Sequence, residues 1–390
     1  MKRLGFVFLI AALFCLITST AFSTDLEIKG KAALLMDGRS GEIFYAQNID
    51  EPLPVASISK LMTMTLALEA VDEKKVALTD LITTSERAAS MGGSQVWLEI
   101  GEQLTLKEML YAIAVGSAND ASAAVAEYLS GSEANFAVQM NKRAYELGLK
   151  NTEFSNASGL PPSLLGGGKQ LMSAHDVAIL SRHCLTVPLL IDFVSTYEYT
   201  MRAQTTKRPQ LWNYNKLLRR YQGVDGLKTG FTTEAGHCLA VTAERNGLRL
   251  IAVVLGCSSE AERESDITKL LDYGFREYTN HLVAEKDTQV DELVLQKGNP
   301  ELVNTVTSED FFVTVKRGEQ DKITTEITYF ENLKLPLTTD TVIGMISAYQ
   351  EQKLLGTMYL NPEQNIEKGS IFVLIIRTAN SIIDALLKGS

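Results

Sequence analysis

Cysteine and histidine are scarce in this chain. Four of each are spread over 390 residues, and none falls at the short spacings that hold a zinc ion or a metal cluster. Cys15 lies in an apolar N-terminal run; the other three, Cys184, Cys238 and Cys257, are widely spaced and odd in number, so no disulfide framework is encoded. Low-complexity tracts and blocks of like charge are missing too, which excludes a long disordered region. There is no concentrated basic surface: the net charge is −10 and the pI near 5.1. Nucleic acid is therefore excluded as the main partner, because phosphate binding needs clustered lysine and arginine. No metal and no cofactor is called for, so any chemistry has to come from ordinary side chains.

What is present reads as globular. Hydrophobic residues make up 45% and charged residues 22%, and the length suits two domains of common size plus targeting segments. The first residues, MKRLGFVFLIAALFCLITSTAFS, carry two basic side chains, an apolar run from Leu4 to Ile17 and small polar residues at the end. This is the pattern of a secretory signal peptide over 1–23, cut near Ser23. The alternative, an uncleaved anchor, meets an apolar run shorter than the ~20 residues a span needs. Phe14 is too large for the position before a lipid-modified cysteine, so Cys15 does not mark a lipoprotein.

From Ala32 the periodicities are mixed. "AALLMD" and "GEIFYAQ" read as strands joined by a "GRSG" turn; helical patterns follow at 106–115, 120–130, 133–148 and in "SAHDVAILSRHCL". "GHCLAVTAERNGLRLIAVVLG" is strand, turn and strand, and "ESDITKLLDYGFREY" is a helix able to cover a sheet face. Strands at both ends with helices between predict an α+β domain over 24–280, one antiparallel sheet with a helical insertion. After His281 short β-type runs ("QVDELVLQ", "DFFVTVKRG", "KITTEITYF") predict a small all-β domain over 281–365. Residues 366–390 end in an amphipathic helix. Phe372, Ile375, Ile376, Ala379, Ile382, Ile383, Leu386 and Leu387 share one face, with Arg377, Ser381, Asp384 and Lys388 on the other. Such a helix either lies in a membrane interface or packs on its own domain.

Three short patterns carry the chemistry. Ser57-Ile58-Ser59-Lys60 heads an apolar segment, placing a hydroxyl and an amine one turn apart on one face of a helix that begins near Ala56. A lysine serves as a base only when burial or a second cation lowers its pKa from ~10.4, so the pair wants a second cation nearby. Alone, the pair is equally a helix cap beside a solvated lysine. Ser117-Ala118-Asn119 and Lys228-Thr229-Gly230 follow in that order, and each of the three patterns occurs once.

Together the three resemble the elements of the active-site serine penicillin-binding proteins and serine β-lactamases. "ASISKLMT", "GSANDASAAVAEYLSGSEANFAVQMNKRAYELGLKNTEFSNASGL" and "VDGLKTGFTTEAGHCL" are similar to the low-molecular-weight D-alanyl-D-alanine carboxypeptidases over about Ala32 to Tyr278, and the β domain with its terminal helix resembles that family too. The resemblance implies a β-lactamase/transpeptidase-like fold and a peptidoglycan stem peptide ending in D-Ala-D-Ala as substrate. It implies β-lactam antibiotics as covalent inhibitors and a place on the outer face of the cytoplasmic membrane, reached through the C-terminal helix. It also implies roles: Ser57 as nucleophile, Lys60 as base, Ser117 as proton relay and Asn119 as the group orienting Lys60. Lys228 and Thr229 would hold the substrate carboxylate at a strand edge, where Gly230 lets a backbone approach closely, with backbone N–H groups of Ser57 and Phe231 as oxyanion donors. Arg263 either helps bind that carboxylate or is a solvated charge at a helix start.

Two departures stand out. Ala118 replaces the glycine common in relatives, and Tyr214 sits where some carry arginine, so a second basic contact is missing. Residues 91–102 read as a loop near the site, with Trp97 either core or a stacking surface. Asn156-Ala157-Ser158 matches a glycosylation string without meaning in a bacterial-type protein. Among competing readings, a class A β-lactamase needs a Glu-x-x-Leu-Asn string, and the nearest match, Glu153 to Asn156, lacks its ending. A penicillin-sensing receptor would be fused to a membrane-spanning part. A D,D-endopeptidase or transpeptidase shares the chemistry and stays open.

Overall fold

The structure, a computed structural model, describes residues 26–202 and 208–388; the expected leader over 1–23 lies outside the described residues. Its centre is a five-stranded antiparallel sheet of β1 (Ala32–Asp37), β2 (Ile43–Gln47), β3 (Val224–Thr232), β4 (Gly236–Arg245) and β5 (Leu248–Cys257), in the order β2-β1-β5-β4-β3. The interior strands are apolar on both faces because both faces are covered. Leu34, Ile251 and Val253 look toward one core, while Leu35, Leu250 and Val254 look toward the other. The β4–β5 hairpin closes on Asn246 and Gly247, with φ of 52° and 75°, as a tight two-residue turn requires.

Between β2 and β3 the chain makes the expected helical excursion: α1 (Lys60–Asp72), α2 (Leu106–Ala114), α3 (Asn119–Ser130), α4 (Glu133–Glu146) and α5 (Ala174–Cys184). Their starts are written in the sequence. Thr105 and Glu108 form a reciprocal capping box, and Ser132 and Ser173 accept from backbone N–H groups of Asn135 and Asp176. α1 differs from the others. Lys60 to Thr65 are buried in an unbroken run, so this helix is enclosed on all sides at the centre of the larger core.

The second face of the sheet is covered by α6 (Glu260–Glu277) through Ile267, Leu270 and Leu271. Buried Asp266 of α6 accepts from the backbone N–H groups of Lys29 (2.7 Å) and Gly30 (2.9 Å), fixing the chain just before β1.

Beyond α6, β6 (Tyr278–Ala284) runs across the expected division at 280/281 and pairs with β9 (Phe311–Lys316). β7 (Gln289–Val294), β8 (Leu302–Thr307), β10 (Ile323–Tyr329), β11 (Gly344–Gln350) and β12 (Lys353–Pro362) build a second five-stranded sheet in the order β7-β8-β12-β11-β10. Residues 302–307 lie outside the expected strands, yet β8 pairs with both β7 and β12. Among the contacts that join the parts, Phe44 stacks on Tyr278 with ring centroids 3.6 Å apart, the Arg39 guanidinium lies over the Phe312 ring, Lys353 pairs with Glu42, and the Arg317 guanidinium donates to the carbonyls of Phe275, Arg276 and Tyr278. Arg317 thereby satisfies carbonyls at the end of α6 that the helix leaves open.

The last element, α7 (Ile371–Lys388), is held at its base by Arg377, which donates to Gly298 O at 2.7 Å and pairs with Glu301 at 3.1 Å. Its apolar face is uncovered: Ile371, Phe372, Ile375, Ile376, Ile382, Ile383 and Leu387 are all exposed, so the helix does not pack that face on its own domain. Among the described residues no helix is long and apolar enough to cross a membrane.

Replacing Asp266 by Ala strands two backbone donors and is expected to destabilise the protein by about 1–3 kcal/mol. The check is a lower urea midpoint at unchanged slope.

Candidate active site

The three sequence patterns meet on one side of the sheet. Ser57 does not open a regular α-helix, as its spacing predicted; it lies in a 3-10 turn, Ala56–Ser59, and Lys60 is the first residue of α1. The tighter turn is what makes the pair. With three residues per turn, positions i and i+3 eclipse, and Lys60 Nζ comes to 2.8 Å from Ser57 Oγ. Ala56 enters the turn at φ 48°, a strained conformation for a residue with a side chain. Ser57 is half-buried and open to the cleft, and Lys60 beneath it is fully buried.

Two oxygens share the amine. Lys60 Nζ donates to Asn119 Oδ1 and to the carbonyl of Ser158, both at 2.6 Å. Asn119 opens α3, and its own amide donates to Gly92 O at 2.7 Å, tying it to the 91–102 loop. Ser117, two residues earlier, is buried in a sharp turn at φ 54°. Ala118 caps α3 and is buried, so the departure from glycine leaves both neighbouring side chains in place.

The third pattern lies on β3, the edge strand of the sheet. An edge strand keeps a row of backbone groups without a sheet partner. Lys228 is buried and donates to Thr229 O at 3.1 Å; Phe231 is exposed and leans on His237, ring centroids 4.3 Å apart. A Cβ on Gly230 would lie 2.4 Å from Val55 O, so only glycine lets β3 pass this close to the turn carrying Ser57.

Arg263 is not a solvated charge. It is buried, 3.5 Å from Glu260 and 3.7 Å from Glu264, and its Nε has no hydrogen-bond partner among the described residues. Its positive charge reaches Lys228. Burial first, then Arg263, lowers the Lys228 pKa to about 7. Burial first, then Lys228, pushes Lys60 well below the ordinary lysine value, against the opposing charges of Asp120 and Glu133. The second cation that the Ser/Lys pair calls for is present.

Several supporting residues carried no signal of their own in the sequence. Ser158 and Gly159 are central: a Cβ on Gly159, at φ 81°, would lie 2.0 Å from Ala56 O and 3.0 Å from Ser57 N. Buried Asn156 shapes this turn, its Oδ1 accepting from the N–H groups of Ser158 and Gly159. The tripeptide with the look of a glycosylation string is thus a packed turn. Asp120, beside Asn119, is buried and accepts from the N–H groups of Val96 and Leu98; burial raises its pKa. Those two bonds bracket Trp97, which stands 69% exposed and is therefore not core. Tyr214 is also exposed, between Asn213 and Asn215, whose side-chain amides donate to Val194 O and Gly226 O.

A family model described as D-alanyl-D-alanine carboxypeptidase matches residues 18–259, and one described as penicillin-binding protein 5, C-terminal domain, matches 278–368. The D-alanyl-D-alanine carboxypeptidase DacF of Bacillus subtilis is 37% identical over 386 residues, covering 97% of this chain and 98% of its own. The chain belongs to the D-alanyl-D-alanine carboxypeptidase family. Its activity is that of a serine-type D-alanyl-D-alanine carboxypeptidase of peptidoglycan metabolism, in a family of extracytoplasmic penicillin-binding proteins. Among solved structures, penicillin-binding protein 5 of Haemophilus influenzae aligns at TM-score 0.71 and 30% identity, covering 88% of this chain and 98% of that one. Penicillin-binding protein D2 of Listeria monocytogenes, in its ampicillin-bound form, aligns at TM-score 0.58 and 34% identity, over 64% of this chain and 99% of that one. The architecture is that of the family: a transpeptidase-like α+β domain, a β-rich domain and a terminal helix.

The buried lysines set a stability signature. Unfolding lets Lys228 regain a proton at any pH between about 7 and its ordinary 10.5, so in this window it weakens the fold, and less so as pH rises. Lys228→Met is expected to raise stability near pH 7. The gain should shrink toward pH 10 at up to about 1.4 kcal/mol per pH unit, as read from paired denaturant titrations.

Proposed function

We propose that Ser57 is the nucleophile that removes the terminal D-alanine and that neutral Lys60 is its base. One observation carries this reading: the two N–H groups of a neutral amine are taken by Asn119 Oδ1 and Ser158 O, so its lone pair faces Ser57 Oγ at 2.8 Å. Lys60 accepts the hydroxyl proton as Oγ adds to the carbonyl between the two D-alanines. The developing oxyanion is held by the N–H groups of Ser57 and Phe231. Ser117 then relays this proton from Lys60 to the departing nitrogen, the C–N bond breaks and D-alanine leaves, with Lys60 neutral again. Water, deprotonated by Lys60, hydrolyses the ester and restores Ser57.

Lys228 and Thr229 receive the substrate's terminal carboxylate at the strand edge, with Arg263 adding positive charge behind them. An arriving carboxylate favours the protonated form of Lys228, so binding keeps Lys60 neutral when it is needed. Asn119 orients Lys60 and the substrate amide. A β-lactam carbonyl offers the same target to Ser57 but keeps its leaving group tethered; the Listeria relative in its ampicillin-bound form supports β-lactam binding here.

In this reading 1–23 direct export, 24–280 carry the chemistry and 281–365 form the β domain. The exposed apolar face of α7, within 366–390, rests in the outer surface of the cytoplasmic membrane.

The full mature chain incubated with an acylated Lys-D-Ala-D-Ala peptide should release free D-alanine, and Ser57→Ala should abolish both that release and labelling by penicillin. Penicillin labelling without D-alanine release would instead indicate a sensor. Rate against pH gives a second test: activity falls as pH drops and Lys60 takes up a proton. Lys228→Met removes the charge that lowers the Lys60 pKa, so the acid limb of penicillin acylation should move to higher pH.

A further inference from the structure

The carbonyl of Ser158 decides where the Lys60 lone pair points, because it takes one of the two N–H groups of the neutral amine. Its own place is set by the residue before it. The Thr63 hydroxyl donates to the carbonyl of Ala157 at 2.7 Å, and the N–H of Ala157 donates to Glu133 Oε1 at 3.2 Å. Both backbone polar groups of Ala157 are therefore taken by side chains from other elements, Thr63 from α1 and Glu133 from the start of α4. Glu133 is itself fixed, paired with Arg87 at 2.9 Å.

The peptide unit joining Ala157 to Ser158 is planar and is held at both ends: Thr63 binds its oxygen, and Asn156 Oδ1 accepts from its N–H at 3.1 Å. Thr63 follows Lys60 by three residues on α1, so the two side chains share a face of that helix. They take consecutive carbonyls of one turn, Ala157 O and Ser158 O. Thr63, Ala157 and Ser158 have no exposed surface, so water offers no substitute for these bonds. The Thr63 side chain hydrogen-bonds to neither Ser57 nor Lys60.

We propose that Thr63 and Glu133 are positioning residues for the base: together they fix the backbone of Ala157, and with it the Ser158 carbonyl that turns the Lys60 lone pair toward Ser57. The inference rests on Lys60 acting as that base. Loss of the grip has two consequences. An acceptor of the Lys60 amine favours its ammonium form, so a loosened Ser158 O lets the acid limb of acylation move to lower pH. A freer amine also aims its lone pair at Ser57 Oγ for less of the time, so the plateau rate falls. The charges that face Lys60 are Lys228 on β3, Asp120 on α3 and Glu133 on α4, and a change at Thr63 leaves all three in place.

The full mature chain is mixed with benzylpenicillin, and the acylation rate and final labelled fraction are followed against pH. Thr63→Val should label to the native stoichiometry, with a plateau rate lowered roughly tenfold. Its acid limb should move to lower pH by roughly 0.5 unit. Thr63→Ser keeps the hydroxyl and should restore both. A variant that labels a smaller fraction at the native rate, with the limb unmoved, is merely less stable and overturns the inference. Glu133 decides the matter if Thr63→Val does not fold. Glu133→Ala removes the acceptor of Ala157 N, whereas Glu133→Gln keeps one, and both remove the same charge. The acid limb should move equally in the two, and the plateau should fall in Glu133→Ala alone; equal plateaus overturn the inference. A native enzyme without an acid limb overturns the reading of Lys60 as base, and this inference with it.

Discussion

Everything in this cleft depends on the burial of one amine. Lys60 has no access to water, and an ammonium in such a place is stable only if it is paired or gives up its proton. Among the described residues no carboxylate is in contact with the amine. The structure supplies two neutral acceptors, Asn119 Oδ1 and Ser158 O, and a second buried lysine that pushes the balance further toward the neutral form. Asp120 and Glu133 pull the other way, yet each is occupied: Asp120 by the backbone of the 91–102 loop, Glu133 by Arg87 and Ala157 N. The amine is thus placed where neutrality is the cheaper state, and two chain segments are tied to its nitrogen.

That single nitrogen explains much of the surrounding architecture. Asn119 has to reach it from the start of α3 and Ser158 from a turn about forty residues further on. For the three segments to converge, backbones must touch where a side chain would intrude. Gly159 passes Ala56, Gly230 passes Val55, and Gly93 passes the Asn119 amide, with hypothetical Cβ contacts of 2.0, 2.4 and 2.8 Å. The strained φ values of Ala56 and Ser117 lie on the same convergent segments. The remainder of the domain, an enclosed α1 against a sheet covered on both faces, is the rigid frame that holds such backbone geometry in place.

The frame was largely legible in the sequence because its signals are local. The Asn246-Gly247 turn, the capping serines before α4 and α5, and the apolar runs of β1, β4 and β5 each announce an element without reference to the rest. Ser57, Lys60, Ser117, Asn119, Lys228 and Thr229 were legible for another reason: their order and spacing form a pattern, and the fold brings those residues to one place. What stayed hidden depends on contacts between distant segments. Ser158 contributes only a backbone carbonyl, which no side chain advertises. Asn156 matched only a glycosylation string without meaning, which says nothing of the buried turn that it shapes. Arg263 could be read as solvated because a single arginine in an acidic stretch says nothing about what covers it. The 3-10 turn at Ala56–Ser59 was hidden as well, since its spacing of three residues is compatible with either helix type until distances are known.

The charges arranged along β3 add a direction to the cleft. At one end lie Lys228 and, behind it, Arg263, both buried; at the other the Glu234 carboxylate stands at the hairpin turn. Buried charges are weakly screened and exposed ones strongly, so the two ends are unequal in strength although opposite in sign. In the proposed mechanism a stem peptide carries a terminal carboxylate, and only one orientation brings it to the buried cations. The reversed peptide would set its carboxylate against Glu234 and leave the cations near Ser57 without a partner. The stronger, buried end fixes where the scissile bond lies.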